Sequence, residues 1–264
     1  MTTSSPKPTP TPRCVIIRHG QTEWSVSGQY TGKTDLPLTE KGEKLVCDSA
    51  EALFRNNLLN PDHITYVFTS PRQRSIKTME LMLSSLTEEQ KSKIKVVVDD
   101  DLQEWDYGDY EGKLTSEIRE LRKSRGLDKE RPWVIWRDGC EGGESSDQVA
   151  MRVSRAIARI QSLHDQHLKQ GITSDILVFA HGHLLRYFAA IWTGLGEEAE
   201  MSPKDAAVRA CQDPDVPHIT LEKYHYMHRN PKLMLDAGGV GVLSYEHNNC
   251  AEPAMVIAGP FTVN

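Results

Sequence analysis

The chain has 264 residues, 38% of them hydrophobic, which is enough to bury one large α/β core or two small ones, and one domain is the simpler reading. A formal net charge of -6 and a pI near 5.9 argue against a nucleic-acid surface, so basic residues that cluster locally are expected to serve a small anionic ligand. Five cysteines without a CxxC pair imply neither a disulfide framework nor a zinc cluster and fit a reducing cytoplasm, with nuclear entry left open; no apolar run approaches the length of a membrane span.

Residues 1–12, MTTSSPKPTPTP, lack the apolar centre of a signal peptide and read as a disordered Thr/Ser/Pro tail ahead of a single domain over 13–264. Cys14 to Ile17 predicts a short buried strand that ends abruptly in Arg18-His19-Gly20. Glu40 to Asn56 predicts a helix entered from Thr39, and Ile64 to Thr69 a second strand running into Ser70-Pro71, a helix entry. In the following helix Ile76, Met79 and Leu83 fall on one face. Residues 94–98, IKVVV, predict a third strand. The acidic and aromatic stretch from Asp99 to Gly112 has little periodicity and reads as a loop that carries side chains to a pocket, with the acids at 99–101 facing solvent.

Leu114 to Arg122 predicts a helix, followed by the Trp/Pro/Gly-rich excursion RPWVIWRDGCEGGE. A long helix from Ser145 to Lys169 sets Val149, Val153, Ile157, Ile160 and Leu163 on its apolar face. Ile176 to Ala180 predicts a fully apolar strand, again ending in a His-Gly motif at His181. Further strands are expected near 218–224, 239–246 and 254–258. Strands alternating with helices imply an α/β fold with a mostly parallel central sheet and helices on both faces. In such sheets ligands bind beyond the carboxyl ends of strands, where both His-Gly motifs lie.

Arg18, His19, Arg74 and His181 are cationic or able to become so, three of them following apolar strands and one in the first turn of a helix. Their natural guest is a phosphate, because guanidinium forks match its oxygens and helix N-termini donate N–H groups. A divalent cation is the weaker alternative, since adjacent arginines oppose it. A neutral His19 can attack phosphorus, with Arg18, Arg74 and a protonated His181 depressing its pKa. The leaving alkoxide then needs a proton, for which Glu104, Asp106, Asp109 and Glu111 are candidates; Glu104, nearest the strand end, is the choice.

Four fragments in this order, RHG with Gln21-Thr22-Glu23, SPRQR at 70–74, LQEWDYGDYEG and AHGH, together resemble the histidine phosphatase superfamily. The resemblance implies a phosphoglycerate mutase-like three-layer sandwich and a phosphorylated His19, with Arg18, Arg74 and His181 on the transferring phosphoryl group and Glu104 as proton donor. It also selects Arg74 over Arg72. WSVSGQYTGKTDLPLT, LRKSRGLDKERPW, LLRYFAAIWTGLG and LDAGGVGVLSYEHNN are similar to the fungal sedoheptulose-1,7-bisphosphatase branch. That branch implies hydrolysis of the 1-phosphate of sedoheptulose 1,7-bisphosphate, with fructose 1,6-bisphosphate a secondary substrate, and the arginines that oppose a cation add the expectation that no metal or other cofactor is required. It further implies Tyr30 and Thr31 along the sugar, Tyr107 on a hydroxyl or phosphate, and Arg186 with His247 at the distal phosphate.

The expected partner is therefore a small sugar bisphosphate, not nucleic acid or membrane, and a homo-oligomer is compatible with the sequence. A phosphoglycerate mutase or fructose-bisphosphatase of the same fold is the rival enzyme, and a phospholigand-binding protein the rival outside catalysis. His183 reads more simply as a packing or hydrogen-bonding residue, Trp105, Tyr107 and Tyr110 fit packing as well as substrate contact, and Cys14 reads as core. His164, His167, His225 and His228 show no site context, and nothing functional rests on residues 197–212.

Overall fold

The run from Cys14 to Ile17 divides its side chains between two separate cores. Val15 and Ile17 join one, Cys14 and Ile16 the other, and all four are at most 5% exposed, which is the signature of a strand covered on both faces. Burying each such aliphatic side chain contributes about 1.5–3 kcal/mol. This strand is β1 (Arg13–Arg18) of a computed structural model that describes residues 9–194 and 233–256. With β2 (Ile64–Thr69), β3 (Lys95–Val98), β4 (Asp175–Ala180), β5 (Val240–Tyr245) and β6 (Pro253–Met255) it forms a sheet in the order β3-β2-β4-β1-β5-β6. The pairs β1/β4, β2/β4 and β2/β3 are parallel; β5 and β6 close one side antiparallel.

Helices α2 (Glu40–Arg55) and α3 (Gln73–Leu83) cover the face of Val15, Ile17, Leu177 and Phe179 with Val46, Ala50, Met82 and Leu83. Helices α5 (Thr115–Ser124), α7 (Ser146–Lys169) and α8 (Gly182–Trp192) cover the other, with Ile118, Val149, Val153, Ile160, Leu184 and Phe188 against Ile16, Ile176 and Val178. The expected α/β three-layer arrangement, with a mostly parallel sheet and helices on both faces, is the one observed.

Hydrogen bonding continues past the strand ends. His19 N donates to the Ala180 carbonyl (3.0 Å), Ser70 N to Phe179 (3.0 Å) and Asp99 N to Thr69 (2.9 Å). The residues that follow β1, β2 and β4 are thereby gathered on one edge of the sheet. Helix α2 approaches this edge closely: a Cβ on Gly42 would lie 2.4 Å from the Gln21 carbonyl, and one on Gly20 2.8 Å from Val46 Cγ2.

Several boundaries differ from expectation. Helix α3 begins at Gln73, two residues beyond Pro71, because the Asp35 carboxylate accepts the Gln73 N–H (3.0 Å) and caps the helix from another segment. Two short helices were not foreseen, α1 (Glu23–Ser27) and α4 (Glu88–Lys93), each closed by a capping box, Thr22/Ser25 and Thr87/Gln90. The loop from Asp99 contains two single 3-10 turns, 100–102 and 108–110. Within it Asp99 and Asp101 are not simply solvated: both pair with Arg159 of α7 (2.6 and 2.8 Å), and Asp101 also with Arg155 (2.5 Å). The tryptophan-rich excursion holds a single helical turn, α6 (Ile135–Asp138), with Trp133 and Trp136 buried. Thr9 and Pro12, within the segment read as tail, accept hydrogen bonds from Asn248 and Ser244. The expectations for residues 1–8, the strand near 218–224, His225, His228 and the patch at 197–212 lie outside the described residues.

Since the missing Cβ of Gly42 is the space that the Gln21 backbone occupies, Gly42→Ala is expected to lower stability by about 1–3 kcal/mol, read from the urea midpoint. An unchanged midpoint would show that the approach of α2 to the strand edge is soft.

Candidate active site

His19 is 5% exposed, and its Nδ1 lies 2.8 Å from the carbonyl oxygen of Gly20. A carbonyl only accepts, so Nδ1 carries the proton and Nε2 holds the free lone pair. Burial first, then the charges of Arg74 and Arg18, lower its pKa to about 3, so the ring is neutral at neutral pH. Arg18 is fixed by Nη1 donating to the Leu235 carbonyl (2.9 Å), while its buried Nε has no hydrogen-bond partner among the described residues. A buried guanidinium N–H left over beside an imidazole lone pair is a ready donor to an anion.

Arg74, in the first turn of α3, is fully buried. Its Nη2 donates to the carbonyls of Thr31 (3.1 Å) and Gly32 (3.0 Å), Nη1 to that of Thr34 (2.9 Å), and Nε to His181 Nδ1 (3.3 Å). His181 therefore accepts at Nδ1 and donates from Nε2 to Ser70 Oγ (2.8 Å). The rings of His19 and His181 stand 5.2 Å apart. The expectation of a protonated His181 is corrected here: burial, and then Arg74, hold it well below its ordinary pKa, so it is neutral without an anion bound. The positive charge that acts on His19 comes from the two arginines.

Glu104 is 8% exposed and sits at the N-terminus of α8. Its Oε1 accepts from Trp105 N (2.9 Å) and Leu184 N (3.0 Å), and its Oε2 from His183 N (3.0 Å). It thus satisfies two of the N–H groups that open that helix, where no side chain of the capping residue does so. Its loop is held by Arg152 of α7, which donates to the carbonyls of Asp101 (2.9 Å), Gln103 (2.6 Å) and Glu104 (3.2 Å) and pairs with Glu144 (2.8 Å).

Arg18, His19 and Glu104 line one cleft of about 240 Å³, together with Tyr30, Thr31, Tyr107 and Arg186. The Tyr107 hydroxyl meets His183 Nδ1 at 2.7 Å, and the Tyr30 ring stacks on His183 with centroids 5.4 Å apart. Burial, then Arg186 and Arg18, lower the pKa of His183 to about 3. The Arg186 guanidinium lies over the Trp136 ring, 4.5 Å from its centroid. Of the residues expected here, Arg74 and His181 do not line the cleft themselves but adjoin residues that do, Arg74 through the Thr31 carbonyl and His181 through the His19 ring, and His247 is not brought in. It stands exposed in the 3-10 turn after β5, with Nδ1 2.7 Å from Glu252 Oε2, and does not line the cleft. Glu246, His247 and Glu252 are the described residues close enough to share a cation, and all three are exposed.

Trp24, Ser25, Gly28, Gln29, Leu235 and Asp236 also line the cleft and were not singled out from sequence. The first four belong to the unforeseen turn of α1 and its exit at Gly28, whose φ of 86° suits glycine. Ser70, read only as part of a helix entry, holds His181.

The family model of the histidine phosphatase superfamily (branch 1) matches residues 14–208. The sedoheptulose 1,7-bisphosphatase of Saccharomyces cerevisiae is 62% identical over 257 residues, covering 96% of this chain and 95% of the relative. A 2,3-bisphosphoglycerate-dependent phosphoglycerate mutase of Cytophaga hutchinsonii is 32% identical over 179 residues, 66% of this chain and 74% of the mutase. Among solved structures, a phosphoglycerate mutase from Bacillus anthracis superposes with a TM-score of 0.61 at 18% identity, over 96% of this chain and 95% of that one, a likeness of fold.

The lowered pKa values of His19, His183 and the fully buried His164 link stability to pH. Below pH 6.5 the unfolded histidines take up protons that the folded ones refuse until about 3, so stability falls as pH is lowered through that window. Each group adds up to about 1.4 kcal/mol per pH unit. The urea midpoint is expected to drop between about pH 7 and about pH 5, and a flat midpoint would mean that these rings can charge in place.

Proposed function

The chain belongs to the histidine phosphatase superfamily, branch 1, and on that premise we propose that it hydrolyses the 1-phosphate of sedoheptulose 1,7-bisphosphate through a phosphohistidine at His19. The observation that carries the mechanism is the neutral His19 whose Nδ1 is committed to Gly20, leaving Nε2 free inside a cationic cleft. The 62% identity to a sedoheptulose 1,7-bisphosphatase over nearly the whole of both chains supports the substrate. The chain is a phosphatase, a phosphoric monoester hydrolase.

In this reading Arg18 and Arg74 hold the transferring phosphoryl oxygens, and His181 Nε2 exchanges its hydrogen bond to Ser70 Oγ for one to a phosphoryl oxygen when the substrate binds. A bound dianion favours the charged form of His181, reversing the effect of the arginines when the site fills. His19 Nε2 forms a bond to phosphorus as the bond to the sugar oxygen breaks, and Glu104 gives that oxygen its proton. Water then attacks phosphorus and loses a proton to Glu104, the P–N bond breaks, and inorganic phosphate and neutral His19 are restored. Every charge in the cycle is handled by side chains already present, so we propose turnover without a divalent cation or other cofactor.

Tyr30, Thr31 and Tyr107 line the path of the sugar, and Arg186 takes the distal phosphate, its fork steadied on Trp136. His247 has no part in this reading as placed. We assign the activity to the cytoplasm, in keeping with four free cysteines among the described residues. No helix of the described residues is long and apolar enough to cross a membrane.

Phosphate release from sedoheptulose 1,7-bisphosphate is expected to survive exhaustive chelation and to fall by at least roughly a thousandfold in His19→Ala. Retained turnover in that variant would end the phosphohistidine mechanism. Arg186→Ala is expected to raise KM for the bisphosphate about tenfold while changing that for sugar monophosphates less. Equal effects on both would place Arg186 away from the distal phosphate.

A further inference from the structure

Two carboxylates line the cleft, and only one has a role so far. Glu104 spends both oxygens on backbone N–H groups. Asp236 is exposed and lines the same cleft as Arg18 and Arg186, and its carboxylate, with no hydrogen bond or ion pair among the described residues, is open to whatever enters. Its backbone, by contrast, is tied to the catalytic strand end. The Leu235 carbonyl takes Arg18 Nη1 (2.9 Å), the Asp236 carbonyl takes Gly239 N (2.8 Å), and Gly238 N donates to the carbonyls of Arg18 (3.2 Å) and His19 (3.0 Å). The turn is tight: a Cβ on Gly239 would lie 2.8 Å from the Asp236 carbonyl. Asp236 is therefore positioned by the backbone that positions His19.

A carboxylate held beside a phosphate site works against binding a dianion, at a cost set by Coulomb repulsion. Such a group is useful if the substrate brings hydroxyl donors, each of which a carboxylate accepts strongly. It is more useful still if competing substrates carry a carboxylate, because the same charge repels them. Phosphorylated hydroxy acids are such competitors: they offer this machinery the same phosphoryl group, and a phosphoglycerate mutase is among the relatives of this chain. The neighbouring lining suits hydroxyls as well, since Tyr30, Tyr107 and the neutral His183 add no charge.

We propose that Asp236 is a specificity-determining residue, accepting hydrogen bonds from the hydroxyls of a polyol phosphate and rejecting phosphates that carry a carboxylate. The inference rests on the sugar-bisphosphate reading of the cleft. It is tested with kcat/KM for sedoheptulose 1,7-bisphosphate, 3-phosphoglycerate and p-nitrophenyl phosphate, the last having neither hydroxyl nor carboxylate. In Asp236→Asn the ratio of the first to the second is expected to fall at least about tenfold, and in Asp236→Glu, which keeps the charge, rejection of 3-phosphoglycerate is expected to persist. A parallel loss on all three substrates would overturn the proposal, because it would show that Asp236 only braces the turn. An unchanged ratio, with the unaltered protein still preferring the sugar bisphosphate, would overturn it alone. If the unaltered protein prefers 3-phosphoglycerate, the proposed function falls, and this inference with it.

Discussion

Strands β1, β2 and β3 each hand one more hydrogen bond to a parallel neighbour after their own last residue, and the candidate site is built on those bonds. His19 hangs from Ala180, Ser70 from Phe179, and Asp99 from Thr69. The sheet therefore sets the relative heights of His19, the serine that holds His181 and the loop that leads to Glu104. Because the strands are covered on both faces, a slip in register would expose one core while disordering the other. The stiffness of the site is borrowed from the two hydrophobic layers beneath it.

On this frame the chemistry depends on an imbalance. Three guanidinium groups, of Arg18, Arg74 and Arg186, lie near three imidazoles, and the positive charge is confined to the arginines because burial strips His19, His181 and His183 of protons. The arrangement is poor for a cation and, until an anion arrives, leaves the buried Arg18 Nε without a hydrogen-bond acceptor. Glu104 resolves a second conflict. It supplies acceptors that the start of α8 lacks, and being tied to that helix it stands on a rigid element although it comes from a loop.

Most of the sheet was legible because its strands are short apolar runs with abrupt polar ends. Ile64–Thr69 is a strand over the residues expected, and the pairing of RHG with the second His-Gly motif foretold a shared crevice. What was hidden came from contacts distant in sequence. Asp35 moves the start of α3 by capping it from another segment, and Arg155 and Arg159 draw Asp99 and Asp101 out of solvent. The charge state of His181 was misjudged for a related reason. Proximity to arginines was readable, whereas the depth of burial, which dominates, is a property of the folded chain. His247 was expected from resemblance alone, and its exposed turn gives it Glu252 for a partner instead.

Arg74 joins two tasks that many enzymes keep apart. The guanidinium that the proposed mechanism turns to the phosphoryl group also holds the carbonyls of Thr31, Gly32 and Thr34, a stretch whose Thr31 lines the cleft. Lysine could not take its place, since one ammonium cannot span three carbonyls and a ring nitrogen in fixed directions. Remodelling that stretch would pull on Arg74 and through it on His181, whereas the turn carrying Asp236 and the helix carrying Arg186 are walls of the cleft whose reshaping leaves the Arg74 hydrogen bonds alone.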